Sequence, residues 1–312
     1  MANLTSIQSV ERRSLRIGKG ANIVMAVAGI LAALLSGADA PLLDGLYSGI
    51  NFVSMLIATK VGQNVMRPSD VHRPFGYYAD EAIYVTFRSI SILGIIVFAG
   101  LAAVSKIVEY LAGKELPSIN FGILVAYAGA MMVLCFGVAY VHYRNWEGSQ
   151  RQSDILKAEM HAATIDGALS AGVGAGFGFS FLITNTPART VLPILDAIIV
   201  LILVAVMFTP PFKIFLNALG EIAGKGAEPT LIVALEELLE PLASQYQTHI
   251  TDIALTKLGR FHTGIIYLDS PNPLTTTVID ELREDMMSAG ESLVGLIELE
   301  IVLTGMPRLR RS

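Results

Sequence analysis

Six stretches of this 312-residue chain are mostly apolar and close to the roughly 20 residues that a membrane-crossing helix needs. They are Gly20–Leu35, Leu42–Thr59, Ala82–Ser105, Phe121–Tyr140, Glu159–Ile183 and Val191–Phe208. No other feature narrows the fold so far. In lipid, every backbone N–H and C=O must be paired inside the protein, and an isolated apolar stretch achieves that as a helix. Charged residues make up only 16% of the chain, where a soluble protein carries about 25%, so much of the surface is expected to meet lipid. The net charge of −5 gives no support for a nucleic-acid partner. One cysteine, Cys135 in an apolar run, rules out an internal disulfide framework or thiolate metal site. It reads as a small buried or lipid-facing residue.

Lys and Arg in the loops set the expected orientation. Arg12, Arg13, Arg16 and Lys19 precede the first stretch, Lys60, Arg67 and Arg73 follow the second, and Arg144, Arg151 and Lys157 follow the fourth. The opposite loops carry little: Lys106 and Lys114 after the third, Arg189 after the fifth. Both termini are therefore expected in the cytoplasm, which an even number of spans allows. Residues 1–19 lack a cleavage site after a short apolar run and read as a cytoplasmic tail. Ser36 to Pro41 reads as a tight turn, with Pro41 in the first turn of the second helix.

The second stretch carries the chain's most informative polar residues. Asp44, Tyr47, Ser48 and Asn51 are spaced i, i+3, i+4 and i+7, which puts four oxygen-bearing side chains on one helical face. An ionisable group in a spanning helix usually faces a bundle interior, a partner or an ion path. The fifth stretch pairs Asp166 with a run of small residues, Gly167, Ser170, Ala171, Gly172, Gly174, Gly176 and Gly178. Small residues let helices pack closely in lipid; close approach of Asp166 to the second helix is the functional reading and tight packing alone the plain one. Arg88, near the start of the third helix, either snorkels to the cytoplasmic face or pairs with Glu81 or an aspartate of the bundle.

Beyond Phe208 the pattern changes. Thr209 to Phe212 contains two prolines and reads as a break, and residues 209–229 as a linker with a surface helix from Lys213 to Gly226. Thr230–Gln247 is amphipathic. Ile250–Lys257 alternates, Leu258-Gly259 offers a hairpin turn, and Arg260–Leu268 reads as a second strand. Thr275–Ser288 reads as a helix stopped by Ala289-Gly290, and Leu293–Leu303 as a third strand. The expected layout is a six-helix transmembrane domain over 20–208, then a small cytoplasmic α+β domain over 230–305, with a basic tail at 306–312. The α+β order is helix–strand–strand–helix–strand, a ferredoxin-like arrangement.

Four motifs, in order, carry a resemblance. They are Ser36-Gly-Ala-Asp-Ala-Pro-Leu-Leu-Asp-Gly-Leu-Tyr-Ser-Gly-Ile-Asn51, Arg73-Pro-Phe-Gly-Tyr-Tyr-Ala-Asp-Glu81, Leu156-Lys-Ala-Glu-Met160 with Asp166-Gly-Ala-Leu-Ser170, and Pro193-Ile-Leu-Asp196-Ala-Ile. With six spans and the carboxy-terminal domain, the chain resembles the cation diffusion facilitator family over roughly Lys19 to Leu303. The resemblance implies a homodimer, joined through the cytoplasmic domain, that exports a divalent cation in exchange for protons. It also implies residence in a cell membrane, here expected to be a bacterial inner membrane.

The resemblance implies a transport site with two residues from the second helix and two from the fifth. Those positions read Tyr47 and Asn51, and Ala162 and Asp166. Ala162 cannot ligate and Asn51 is neutral, so Asp44, one turn before Tyr47, is expected to supply the second carboxylate. Ser48 is a further oxygen. His161 is a lesser candidate, because it lies roughly 140° around the helix from Asp166. Oxygen-rich sites suit harder ions, so manganese or iron is favoured over zinc as substrate, and no cofactor is expected. Protons compete for the same carboxylates, which is the basis for exchange. The family's second site, in the loop before the third helix, reads Arg73 and Tyr77, with Asp70 and His72 nearby, and is expected to be lost. His249 and His262 are the only histidines of the last domain, among Asp252, Asp269, Glu298 and Glu300, so metal sensing there is expected to be weak. The alternatives are a non-transporting scaffold or regulatory relative, and a carrier of a monovalent cation such as sodium. No nucleophile–base set or phosphate loop appears, so the chain is not expected to be an enzyme.

Overall fold

The computed structural model describes residues 2–65, 67, 69–73, 76–148 and 154–306. Pro74 and Phe75 of the loop motif, Arg151, and the basic run from Arg308 to Arg311 lie outside the described residues. The chain divides into two compact units: Met1–Ile57 with Arg88–Phe212, and Ala58–Phe87 with Lys213–Ser312.

The helices are α1 (Ala2–Ser36), α2 (Ala40–Val65), α3 (Ala79–Leu111), α4 (Phe121–Gly148), α5 (Asp154–Ile183) and α6 (Leu195–Ile222), with a 3₁₀ segment, Pro187–Ile194, before α6. All six are long and apolar enough to cross a membrane. Leu34, Phe98, Leu101 and Leu182 are 66–78% exposed, so the outward faces are apolar. Leu43, Ile96, Leu124, Phe177 and Val200 are buried in the core between the helices of the first unit.

Most helices run beyond the expected spans, and two ends differ by more than a dozen residues. Helix α1 begins at Ala2 rather than Gly20. Its inward face continues through the polar residues: Ser14, Gly18 and Ala21 are buried, while Arg13, Arg16 and Gly20 are exposed. Hydropathy sees the charges and misses the phase. Helix α6 runs through Pro210 and Pro211 to Ile222, where a break was expected. Each proline removes one backbone donor, but breaking the helix would strand several more polar groups in apolar surroundings.

Side chains distant in sequence fix the first unit. The carboxylate of Asp196, fully buried in the first turn of α6, accepts hydrogen bonds from the N–H groups of Asp39 (2.8 Å) and Ala40 (3.1 Å) at the start of α2. It caps a helix other than its own, satisfying donors that the first turn leaves free. Lys106 of α3 donates to Asp196 at 3.2 Å and to Asp39 at 3.5 Å. Further along α2, α1 crosses it backbone to backbone. A Cβ placed on Gly29 would sit 2.6 Å from both the Gly45 Cα and the Pro41 carbonyl oxygen. The glycine face of α5 serves other neighbours: Gly167 meets Phe136, Gly174 meets Ala128 and Gly176 meets Ile199. The small residues of α5 thus seat it on α4 and α6.

In the second unit, α7 (Pro229–Gln245) and α8 (Thr276–Val294) cover one face of a sheet of β1 (His249–Leu258), β2 (Phe261–Asp269) and β3 (Leu296–Leu303). The sheet order is β1-β2-β3, antiparallel then parallel, and α8 makes the crossover. Ile253, Leu255, Ile266, Leu268, Ile297 and Leu299 alternate inward against Leu235, Leu239, Leu282 and Met286. The hairpin turn is Gly259-Arg260, one residue later than expected, because Gly259 takes φ +63° as the first turn residue. Helix α8 does not stop at Ala289-Gly290. It runs to Val294 and ends at Gly295, with φ +80°. Gly290 instead lets the helix lie on the sheet, where a Cβ would meet Ile297 at 3.3 Å. Strand β3 accordingly begins at Leu296, not Leu293. The turn is gripped from outside: Glu81 accepts from Arg260 Nε (2.8 Å) and Nη2 (3.1 Å), Tyr78 stacks on Phe261, and Glu221 accepts the Gly259 N–H at 2.9 Å.

Candidate ion site between the second and fifth helices

Two neighbouring cavities open inside the first unit. Asp44, Tyr47 and Ser48 of α2 line the first, of about 50 Å³, with Asp166 and Ser170 of α5. The second, of about 210 Å³, is lined by Tyr47, Asn51, Arg88, His142, Glu159 and Asp166. Tyr47, Asp166, Met25 and Cys135 belong to both. A water needs about 10–15 Å³ of accessible space, so both cavities have room for water or a partly hydrated ion.

The helical phase explains the first cavity. The i, i+3, i+4, i+7 spacing turns the four α2 side chains to one side, while Leu43 and Gly45 are buried against neighbouring helices. Asp44 accepts a hydrogen bond from the Tyr127 hydroxyl of α4 at 2.5 Å. Cys135, read from the sequence as a small buried or lipid-facing residue, is 4% exposed and forms part of the wall, with Met25 Sδ at 3.6 Å.

The second cavity holds what the sequence did not announce. Arg88 is exposed, and its Nη2 donates to Asn51 Oδ1 at 3.0 Å. Glu159 sits two turns before Asp166 on α5 and lines the same space. His142 is buried. Its Nδ1 lies 2.5 Å from Ser14 Oγ, which also accepts from Asn145 at 3.1 Å. Glu159 shares the i, i+7 register of Asp166, a signal that was available in the sequence. Arg88 and His142 sit on helices whose phase toward the site only the packing reveals.

His161 stands apart from this group. Its Nδ1 contacts the Lys157 carbonyl oxygen of its own helix at 2.8 Å, the residue is exposed, and it lines neither cavity. Ala162 does line the second cavity but offers no ligand atom. Among the described residues, no group of three or more His, Cys, Asp or Glu converges as a metal site. A cation between Asp44 and Asp166 would therefore draw its other ligands from hydroxyl, amide and water oxygens.

In the loop before α3, Asp70 accepts hydrogen bonds from the Tyr77 hydroxyl (2.7 Å) and from the N–H groups of His72 (2.8 Å) and Arg73 (2.9 Å). The guanidinium groups of Arg67 and Arg73 lie over the Tyr77 ring. This carboxylate is engaged in shaping the loop, with two cations close by. In the carboxy-terminal unit, His249 pairs with Glu240 at 3.0 Å, and His262 lies opposite Lys257 across the β1–β2 ladder. The two histidines are directed at different neighbours.

Six apolar helices around polar cavities make this an integral membrane protein. Residues 15–223 match the family described as the cation efflux transmembrane domain, well over half of the chain. The chain belongs to this family, the cation diffusion facilitators, and is a transporter of cations across a membrane. A comparison with curated proteins returns no match.

Proposed function

We propose that the protein exports a divalent metal cation from the cytoplasm in exchange for protons. Asp44, Tyr47, Asn51 and Asp166 handle the ion, assisted by Ser48. The observation that carries this reading is the shared wall: Tyr47 and Asp166 border both cavities, with Asp44 beyond them and Asn51 before them. An ion moving between the two cavities passes a continuous set of oxygens from α2 and α5. Two carboxylates with neutral oxygens favour manganese or iron over zinc, which prefers nitrogen and sulfur ligands. Protons and the cation compete for the same carboxylates, which supplies the coupling. In this reading both termini lie in the cytoplasm and the membrane is a bacterial inner membrane. Residues 230–305 form a cytoplasmic domain through which two copies pair, and the protein catalyses no reaction.

The test is uptake into proteoliposomes carrying a metal or pH reporter, with manganese, iron, cobalt and zinc. Wild type is expected to take up at least one ion with counterflow of protons, and Asp166→Ala to lose at least about 95% of that uptake. Silence of the wild type with every divalent ion overturns the proposal. A scaffold or regulatory partner then becomes the better reading, one that the absence of a three-ligand cluster among the described residues would suit. Proton movement driven by a sodium gradient would point to a monovalent substrate.

A further inference from the structure

We infer that Arg88 is a tethered cation on the ion path that competes with the transported ion, so that it helps determine which cations bind and how readily they leave. The inference rests on the transport reading above. Its physical basis is the contact between Arg88 Nη2 and Asn51 Oδ1, at 3.0 Å. The guanidinium stays charged at every physiological pH and cannot give way by losing a proton. It shares its cavity with Tyr47 and Asp166, two further groups assigned to the ion, and with Glu159.

A metal ion bound to the same amide oxygen would lie only a few ångströms from a full positive charge. The repulsion scales with the product of the charges, so a divalent ion feels it about twice as strongly as a monovalent one at the same distance. The ion and Arg88 therefore exclude one another at Asn51: the side chain withdraws as the ion enters and returns as it leaves. Arg88 has the reach for this. It sits on a long flexible stem, with the residue itself exposed and lining the cavity. Its charge offsets the negative charge of Glu159, which lines the same cavity. The resemblance to other transporters offers no guide to this residue, and the sequence alone left it between two other roles.

The experiment measures manganese uptake by the full-length protein in proteoliposomes, with equilibrium manganese binding to the detergent-solubilised protein beside it. Arg88→Gln and Arg88→Met remove the charge, and the second also removes the hydrogen-bond donor. Both are expected to lower KM for manganese by about tenfold or more and to lower kcat as well, because release loses its competitor. Arg88→Lys keeps the charge but not the fork and is expected to fall between them and wild type. If KM is unchanged or rises in both neutral variants while wild type transports, Arg88 merely braces Asn51 and the inference is overturned. If neither neutral variant is active, the binding measurement decides: manganese affinity no tighter than wild type overturns it equally. A wild type that moves no divalent ion overturns the transport reading, a separate result.

Discussion

Asp196 shows how one buried carboxylate organises a membrane protein. It satisfies two backbone donors of α2 and the ammonium of Lys106, and it is itself fully buried. Removing one partner of such a set leaves the others uncompensated, typically at a cost of 3–5 kcal/mol. Asp39 remains as a second partner of Lys106, so the loss in Asp196→Asn should be about 3 kcal/mol, at the lower end of that range. Thermal unfolding in detergent should show it, with Asp39→Asn milder because Asp39 is 43% exposed. The sequence showed Asp196 only as part of a family-like motif. The residue it serves lies 157 positions away, and no local pattern announces a cap supplied from another helix. By contrast, the shared face of Asp44, Tyr47, Ser48 and Asn51 was legible at once, because helical phase is a local property. Arg88 and His142 were not, since their direction depends on how α3 and α4 pack.

The elements divide in the same way. The existence of all six spans could be read from apolar length alone, and the three strands from their alternation and turn residues. Their limits could not. Helix α1 extends through charged residues because only one of its faces must be apolar, and α6 continues past two prolines because the alternative costs more hydrogen bonds. The glycines of α5 were legible as packing residues, but their partners, Phe136, Ala128 and Ile199, belong to α4 and α6. The tightest crossing lies elsewhere, at Gly29 and Gly45, directly beside Asp44. Gly29→Ala should push α1 from α2 and destabilise the protein by about 1–3 kcal/mol, the usual range for overpacking. Because Gly45 is the neighbour of Asp44, the same variant should also weaken cation uptake in proteoliposomes. Gly20→Ala on the same helix has nothing within 4 Å of the new methyl group and should do neither.

For the whole molecule, the match over residues 15–223 makes it a cation transporter, and the stability of the carboxy-terminal unit is expected to depend on pH through His262. Burial, with Lys257 opposite as the lesser cause, holds the pKa of His262 below its ordinary 6.5. The folded ring thus stays neutral at a pH where the unfolded one is protonated. The unfolded state binds more protons, so this contribution to stability is present above about pH 6.5 and is lost as pH falls from there through the folded value. Amide hydrogen exchange in β1 to β3 of the full chain, corrected for intrinsic rates, should quicken between pH 7.5 and 5.5. The acceleration should be smaller in His262→Gln. If the two proteins respond alike, the acid sensitivity originates elsewhere.

The bond from Asp196 to the first turn of α2 constrains how the protein can work. Any alternation that opens the ion path first to one side and then to the other must rotate some helices past others. With its leading end fastened to α6 and, through Lys106, to α3, α2 cannot swing alone there. It travels with those two as a single lever, or the fastening has to come undone in every cycle.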